Sequence, residues 1–247
     1  MKKNIALILA VLILAAFSFA GCGPDNKPIT SAKTWDKIMA DSYDAITKAG
    51  ANFKHIYLGS NEGLDDYFSH TFYVDGSRGR DDHSGKNQFE GEINRTYYYE
   101  IEGGATLNVW SIPEDGGAFV KSSWKIDLEA SPYLFKNFRE TGLITMGAHL
   151  IGECRIDRLT GLLENFTFSE GVYKALGAEN LEKAFRAFTA IDPNVLTNVH
   201  FDSFSLKIEG GLVSEIEWNT SLKNNPTTKS TVKHAITYGG QSVALPE

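Results

Sequence analysis

Two periods run along this chain. Over 34–49 (TWDKIMADSYDAITKA), Trp35, Ile38, Met39, Tyr43 and Ile46 recur at three- and four-residue spacing, with Gly50 just past the end. That pattern predicts an amphipathic helix packed on a sheet. Beyond it the period falls to two. Phe72 and Val74, then Tyr97, Tyr99 and Ile101, then Leu107 and Val109 take alternate positions. Val120, Trp124, Ile126 and Leu128 alternate with Lys121, Ser123, Lys125 and Asp127. The period returns at Leu162, Phe166 and Phe168, at Phe204, Leu206 and Ile208, at Ile216 and Trp218, and at Val232, Ile236 and Tyr238. Gly-Gly pairs at 103–104, 116–117, 210–211 and 239–240 offer the positive φ that tight turns between strands require.

Alternation this persistent describes an antiparallel sheet with one dry face and one wet face. Many strands at close spacing favour a barrel or a strongly curved sheet. Two further helical stretches interrupt it. One is 132–148, with Leu134, Phe135 and Phe138 on one side; the other is 178–191, with Leu181, Phe185 and Phe188. The expected fold is α+β and mainly antiparallel β: a strongly curved sheet, a half-barrel, closed by a few helices. No stretch within 31–247 has a linker's composition, so a single domain is expected there. CRIDRLTGLLENFTF (154–168) and LKIEGGLVSEIEW (206–218) echo each other, which reads as one hairpin used twice.

The first thirty residues carry an address. Lys2 and Lys3 precede an apolar run from position 5 to position 20, which Gly21, Gly23, Pro24 and Asp25 end abruptly. This is the layout of a secretory signal peptide, 1–21, and the run is short for a membrane span. Phe19-Ala20-Gly21-Cys22 resembles the bacterial lipobox, with Phe19 where that motif prefers Leu. The resemblance implies that Cys22 becomes the acylated first residue of the mature chain. Two or three acyl chains, each CH2 contributing about 0.8 kcal/mol, hold a protein on a membrane stably. Residues 22–30 then read as a lipidated tether, and the body would sit in the cell envelope, facing away from the cytoplasm.

Composition narrows the rest. The 247 residues carry a net charge of −7, with 42% hydrophobic and 22% charged residues, so a full core is affordable and disorder is not expected. An acidic balance leaves no electrostatic footprint for nucleic acid. Loss of 1–21 removes two lysines and no acid, making the body more acidic still. Two cysteines are too few for a disulfide scaffold or structural zinc, and Cys154 reads as a buried free thiol.

The lipobox, the helix opening on Trp35, the Ile156-Asp157-x-x-Thr160-Gly161-Leu162 segment and the terminal Tyr238-Gly239, Val243 and Pro246 together resemble envelope lipoproteins of the LolA/LolB and LppX/LprG kind. That resemblance implies a half-barrel of antiparallel strands with an apolar cavity for acyl chains. It carries over no ligand residues, and the stretch 76–94, rich in Gly, Asp and Arg, has no counterpart in it.

Motifs for a serine hydrolase elbow, a zinc protease, a P-loop or a dinucleotide fold are absent from the sequence. The best metal candidate is Asp81-Asp82-His83, with Asp75, but Arg78, Arg80 and Lys86 interleave it, and a solvated hairpin loop is the expectation. His55, His70, His149, His200 and His234 are scattered and read as ordinary structural or surface residues. The aromatics are more informative. Inward rings fill small barrels or line cavities with the same alternation. The expected activity is non-enzymatic and without cofactor: binding of an acyl chain or other apolar ligand, with Trp124, Ile126, Phe166, Phe168 and Trp218 as the pocket lining. The alternatives are an interaction or sensory lipoprotein with a solid core and protein partners, and an envelope hydrolase, which would need convergent carboxylates or a histidine in a cleft.

Overall fold

A computed structural model describes residues 27–48, 50–62, 66–87, 91–103, 106–113, 116–125, 155–189 and 197–247. Among them one sheet of eleven antiparallel strands dominates, with two α-helices on one of its faces. The strands are β1 (Asn52–Glu62), β2 (Asp66–Asp75), β3 (Arg78–Asn87), β4 (Gly91–Glu102), β5 (Thr106–Ser111), β6 (Val120–Lys125), β7 (Phe166–Ser169), β8 (Val172–Ala175), β9 (Val199–Glu209), β10 (Leu212–Leu222) and β11 (Asn225–Tyr238). Their order is β6-β5-β4-β3-β2-β1-β11-β10-β9-β8-β7. Two meanders, β1 to β6 and β7 to β11, are thus joined where the first strand pairs with the last, Phe53 opposite Tyr238 and Gly59 opposite Val232. Among the described residues the sheet is open, with β6 and β7 as its edges.

Helix α1 (Ala32–Thr47) starts at Ser31, whose Oγ accepts the Thr34 N–H at 3.4 Å. Trp35, Met39, Ser42 and Ile46 form its buried stripe. Ser42 donates to the Ile38 carbonyl (2.6 Å) and accepts the Val213 N–H (2.9 Å), while Tyr238 Oη donates to the Val213 carbonyl (2.7 Å). Val213 adjoins a register shift in the β9–β10 ladder. Side chains therefore satisfy the backbone groups that the irregularity frees, and they bolt the helix to β10. Helix α2 (Ala178–Phe188) buries Leu181, Ala184, Phe185 and Phe188 and turns the Glu179–Lys183 and Glu182–Arg186 pairs outward. Ile29 is the first described residue tied to the core, its N–H reaching Tyr173 Oη at 2.7 Å.

Two expectations change. The segment 154–168 does not form a hairpin: its described part holds two 3-10 turns, Ile156–Leu159 and Leu163–Asn165, before β7. Ile156 and Leu159 are fully buried, so these apolar residues fill space beside α1 and α2 rather than alternate across a strand. Only the second copy, Leu206 to Trp218, is a hairpin, turning on Gly210 and Gly211 with φ of 60° and 78°. The segment around Asp81-Asp82-His83 is not a solvated hairpin loop either. It is largely strand β3, paired along its length with β2 and β4. The helix expected over 132–148, together with Cys22, Ile126, Cys154 and His149, lies outside the described residues.

The face opposite the helices carries a second organised row. Cross-strand partners Lys54, Tyr73, Arg80, Tyr98, Trp110 and Lys121 run from β1 to β6. Lys54 lies over the Tyr73 ring, Arg80 between Tyr73 (5.5 Å) and Tyr98 (5.7 Å), and Lys121 over Trp110 (5.0 Å). Cation and ring alternate along the first part of the row, which explains how polar β3 holds a central position.

Candidate functional site

On the helix-covered face, three of the expected lining residues sit in packed core. Phe166 is 5.2 Å from Trp35, and Phe168 is 4.9 Å from Tyr173. Trp218 lies under α2, edge-on to Phe185 (5.7 Å) and Phe188 (5.5 Å) and stacked on His234 (5.2 Å). Trp124 occupies the β6 position opposite Leu107. The structure brings Phe166 and Trp218 into one aromatic cluster through Phe204, 6.1 and 6.4 Å away. Phe166, Phe168 and Trp218 do not border the cleft that the same face opens further along the sheet.

That cleft, of about 490 Å³, lies over β11, β1, β2, β3 and β4. Its floor follows one cross-strand row, lined by Val232, Gly59, Phe68 and Ile93, with Gly85 between the last two in register. Phe68 has a glycine on either side in register, and the space follows from that. A Cβ on Gly59 would meet the Phe68 ring tip at 2.1 Å, and one on Gly85 would meet the Tyr67 carbonyl at 2.5 Å. The ring lies where side chains would otherwise stand. Asp66 and Lys86 are the charged residues at its border.

The next row along is His83, His70, Tyr57 and His234, one residue from each of β3, β2, β1 and β11. The four are neither scattered nor superficial. His70 and His83 stack with ring centroids 3.9 Å apart, and both border the cleft, as does Tyr57. Tyr57 stacks on His234 at 4.7 Å. His55, one row over, meets His234 Nδ1 through its Nε2 at 2.9 Å. Of the remaining described histidines, His200 stands mostly exposed beside Asp202.

Asp81 backs His70. Its carboxylate oxygens lie 3.2 and 3.3 Å from His70 Nδ1, with side-chain exposures of 5% and 13% respectively. Burial pushes the Asp81 carboxyl above its ordinary range, and the His70 hydrogen bond holds it down. Burial lowers His55 to about 3, helped by the field of His70. Burial, then His70, then Arg95 lower His83 to about 4, and burial with His55 takes His234 well below its usual value. These three are neutral imidazoles at neutral pH.

Asp81, Asp82 and His83 cannot converge on a cation, because successive strand residues face opposite ways. Asp82 points to the other face, where it takes Arg80 and Thr96, and Asp75 accepts from Asn52 and the Val243 N–H. Among the described residues no group of three or more His, Cys, Asp or Glu could hold a metal ion.

A sequence signal for the row exists. A turn at Gly76 and Ser77 sets Asp75 opposite Arg78, and counting back along both strands sets His70 opposite His83. The reading of the Asp81-Asp82-His83 segment as a loop concealed it. No protein-family model matches the chain, and no curated protein is a significant match.

Proposed function

We propose that this protein is a bacterial envelope lipoprotein, held on its membrane through acylated Cys22, that binds an acyl chain or similar amphiphile without enzymatic turnover. In this reading the open sheet curls into a half-barrel of the LolA/LppX kind. One observation carries it: the helix-covered face opens a cleft of about 490 Å³ floored by Val232, Phe68 and Ile93 between two glycines. That volume falls within the ordinary range for small-molecule sites, roughly 300 to 1,000 Å³, and apolar walls with a few polar groups are their usual make-up. The leader and lipobox supply the location.

The pocket moves with this observation. Phe166, Phe168 and Trp218 become the core that supports the sheet, and the ligand lies against Phe68, Ile93 and Tyr57 instead. Their dense packing favours the second reading, a solid-core lipoprotein with protein partners.

Residues 23–247 contain every described element and every described core contact, and in this reading they are the chain that follows the acylated cysteine. Native mass spectrometry of that body, exported in a bacterium, separates the two readings. A lipid-sized adduct removed by solvent extraction, and reduced by Phe68→Asp, supports the cleft. An adduct-free mass after incubation with mixed lipids supports the solid core.

A further inference from the structure

The amphiphile reading leaves the chemistry of the ligand's polar end open, and the row beside the apolar floor bears on it. His70 uses Nδ1 against Asp81, which leaves Nε2 as the ring nitrogen available to a ligand in the cleft it borders. A carboxylate behind an imidazole fixes its tautomer and orientation. His83, stacked on the same ring, leaves one flat imidazole pair beside the Phe68 floor.

We propose that the cleft takes its ligand as a free carboxylic acid, a fatty acid or an apolar acid of similar build, with His70 Nε2 carrying the proton and the head group held as carboxylate against imidazolium. Asp81 is the positioning residue. For the carboxylate present in neutral water, one solvent proton joins Nε2 on binding; no covalent bond in the ligand is made or broken.

Charge selects a monoanion. His70 faces Asp81 and His83 from β3, Tyr57 and His55 from β1, and His234 beyond Tyr57 from β11; Arg95 of β4 lies beside His83, and Asp66 and Lys86 border the cleft. Burial keeps His55, His83 and His234 neutral, so they neither compete for the proton nor add positive charge. A phosphate dianion would bring a second negative charge toward Asp66 and Asp81, whereas a carboxylate that arrives with a proton adds no net charge to a buried place.

The test is calorimetry of residues 23–247 with dodecanoic acid and with its methyl ester, in phosphate and in Tris, whose heats of ionisation differ. The acid binds about tenfold tighter than the ester, the step that one retained charge-assisted hydrogen bond supplies. Its heat differs between the buffers by the uptake of a proton, and the ester's does not. His70→Gln brings the acid down to the ester's affinity and abolishes the uptake. Asp81→Asn lowers the uptake by removing the carboxylate that fixes the His70 tautomer and turns Nε2 to the cleft. Equal affinity for acid and ester, or tight acid binding without proton uptake, overturns the head-group assignment while the apolar cleft stands. Failure of both ligands to bind removes the amphiphile reading, and this assignment with it. The buffer comparison on the unaltered body needs no variant to fold.

Discussion

His55 and His234 meet face to face across the junction of the two meanders, Nε2 to Nδ1 at 2.9 Å, with both side chains almost wholly buried. One ring must donate and the other accept, so the contact is lost once both rings carry a proton, and burial opposes even the first. It sits at the β1–β11 pairing, the one ladder that joins the first half of the sheet to the second.

Acid should therefore loosen this protein in a defined window. Unfolded His55 takes a proton near 6.5, but folded His55 does so only near 3. Stability is complete above pH 6.5 and falls as the pH drops toward 3, because the unfolded chain then binds a proton that the folded chain refuses. At 1.36 kcal/mol per unit, His55 alone removes about 3 kcal/mol by pH 4. His234 acts in the same direction. Asp81, whose carboxyl is raised, works the other way and returns some stability on acidification. Urea midpoints measured across this window should fall, and His55→Gln, which keeps a donor for His234, should flatten the curve. A flat profile for the unaltered protein would sink the account.

Trp35 anchors α1 more than any other single residue of the helix. It is fully buried, donates Nε1–H to the Leu159 carbonyl at 2.8 Å, and packs on Phe166 and Tyr173. Trp35→Ala leaves a cavity that costs about 3–5 kcal/mol. Trp35→Phe keeps most of the volume but takes away the shorter of two hydrogen bonds to the Leu159 carbonyl, which retains the Leu162 N–H at 3.3 Å, for about 1 kcal/mol. Thermal unfolding of both variants should rank them in that order. If Trp35→Phe matched the parent, the hydrogen bond would contribute nothing.

The helix spacing, the inward rings of β9 and β10 and the antiparallel pairing were all legible because each rests on local alternation of apolar side chains. Strand β3 was not, since RGRDDHSGKN has no apolar side chain. Its place depends on partners distant in sequence: Tyr99 and Phe68 over its glycines, Tyr73 and Tyr98 around Arg80, and Glu100 for Arg78. The candidate site was hidden for the same reason. Four histidines on four strands become neighbours only through a register that runs across β3 and across β1–β11, and the second of these pairs residues at opposite ends of the chain. Trp218 and Phe166 were correctly placed on the dry face, but alternation does not distinguish a filled face from a hollow one.

Arg80 gives the outer row a direct test. Its guanidinium lies between two tyrosine rings and pairs with Asp82 at 2.9 Å. Each exposed cation–π contact contributes about 0.5–1 kcal/mol, so Arg80→Ala should lower stability by about 1–2 kcal/mol. Arg80→Lys keeps the charge but loses the flat stack and should recover less than half of that. Full recovery in urea unfolding would mean that charge alone holds the row.

Gly59 and Gly85 flank the same phenylalanine, yet substituting them should give different results. Neither has a positive φ, so backbone strain plays no part and only the space beside each matters. At Gly59 an added methyl meets the tip of the Phe68 ring, a side chain that rotates away about χ1. At Gly85 it meets the Tyr67 carbonyl and the Phe68 Cα, which move only if β2 and β3 separate. Gly59→Ala should therefore cost about 1 kcal/mol of stability, at the low end for overpacking, while displacing the ring across the cleft floor and weakening amphiphile binding about tenfold. Gly85→Ala should cost about 3 kcal/mol, the upper end of the same range, through the lost pairing. Urea unfolding beside dodecanoate titration of both variants separates the effects. If Gly59→Ala bound the ligand as the parent does while folding normally, Phe68 would not be the floor of a binding site.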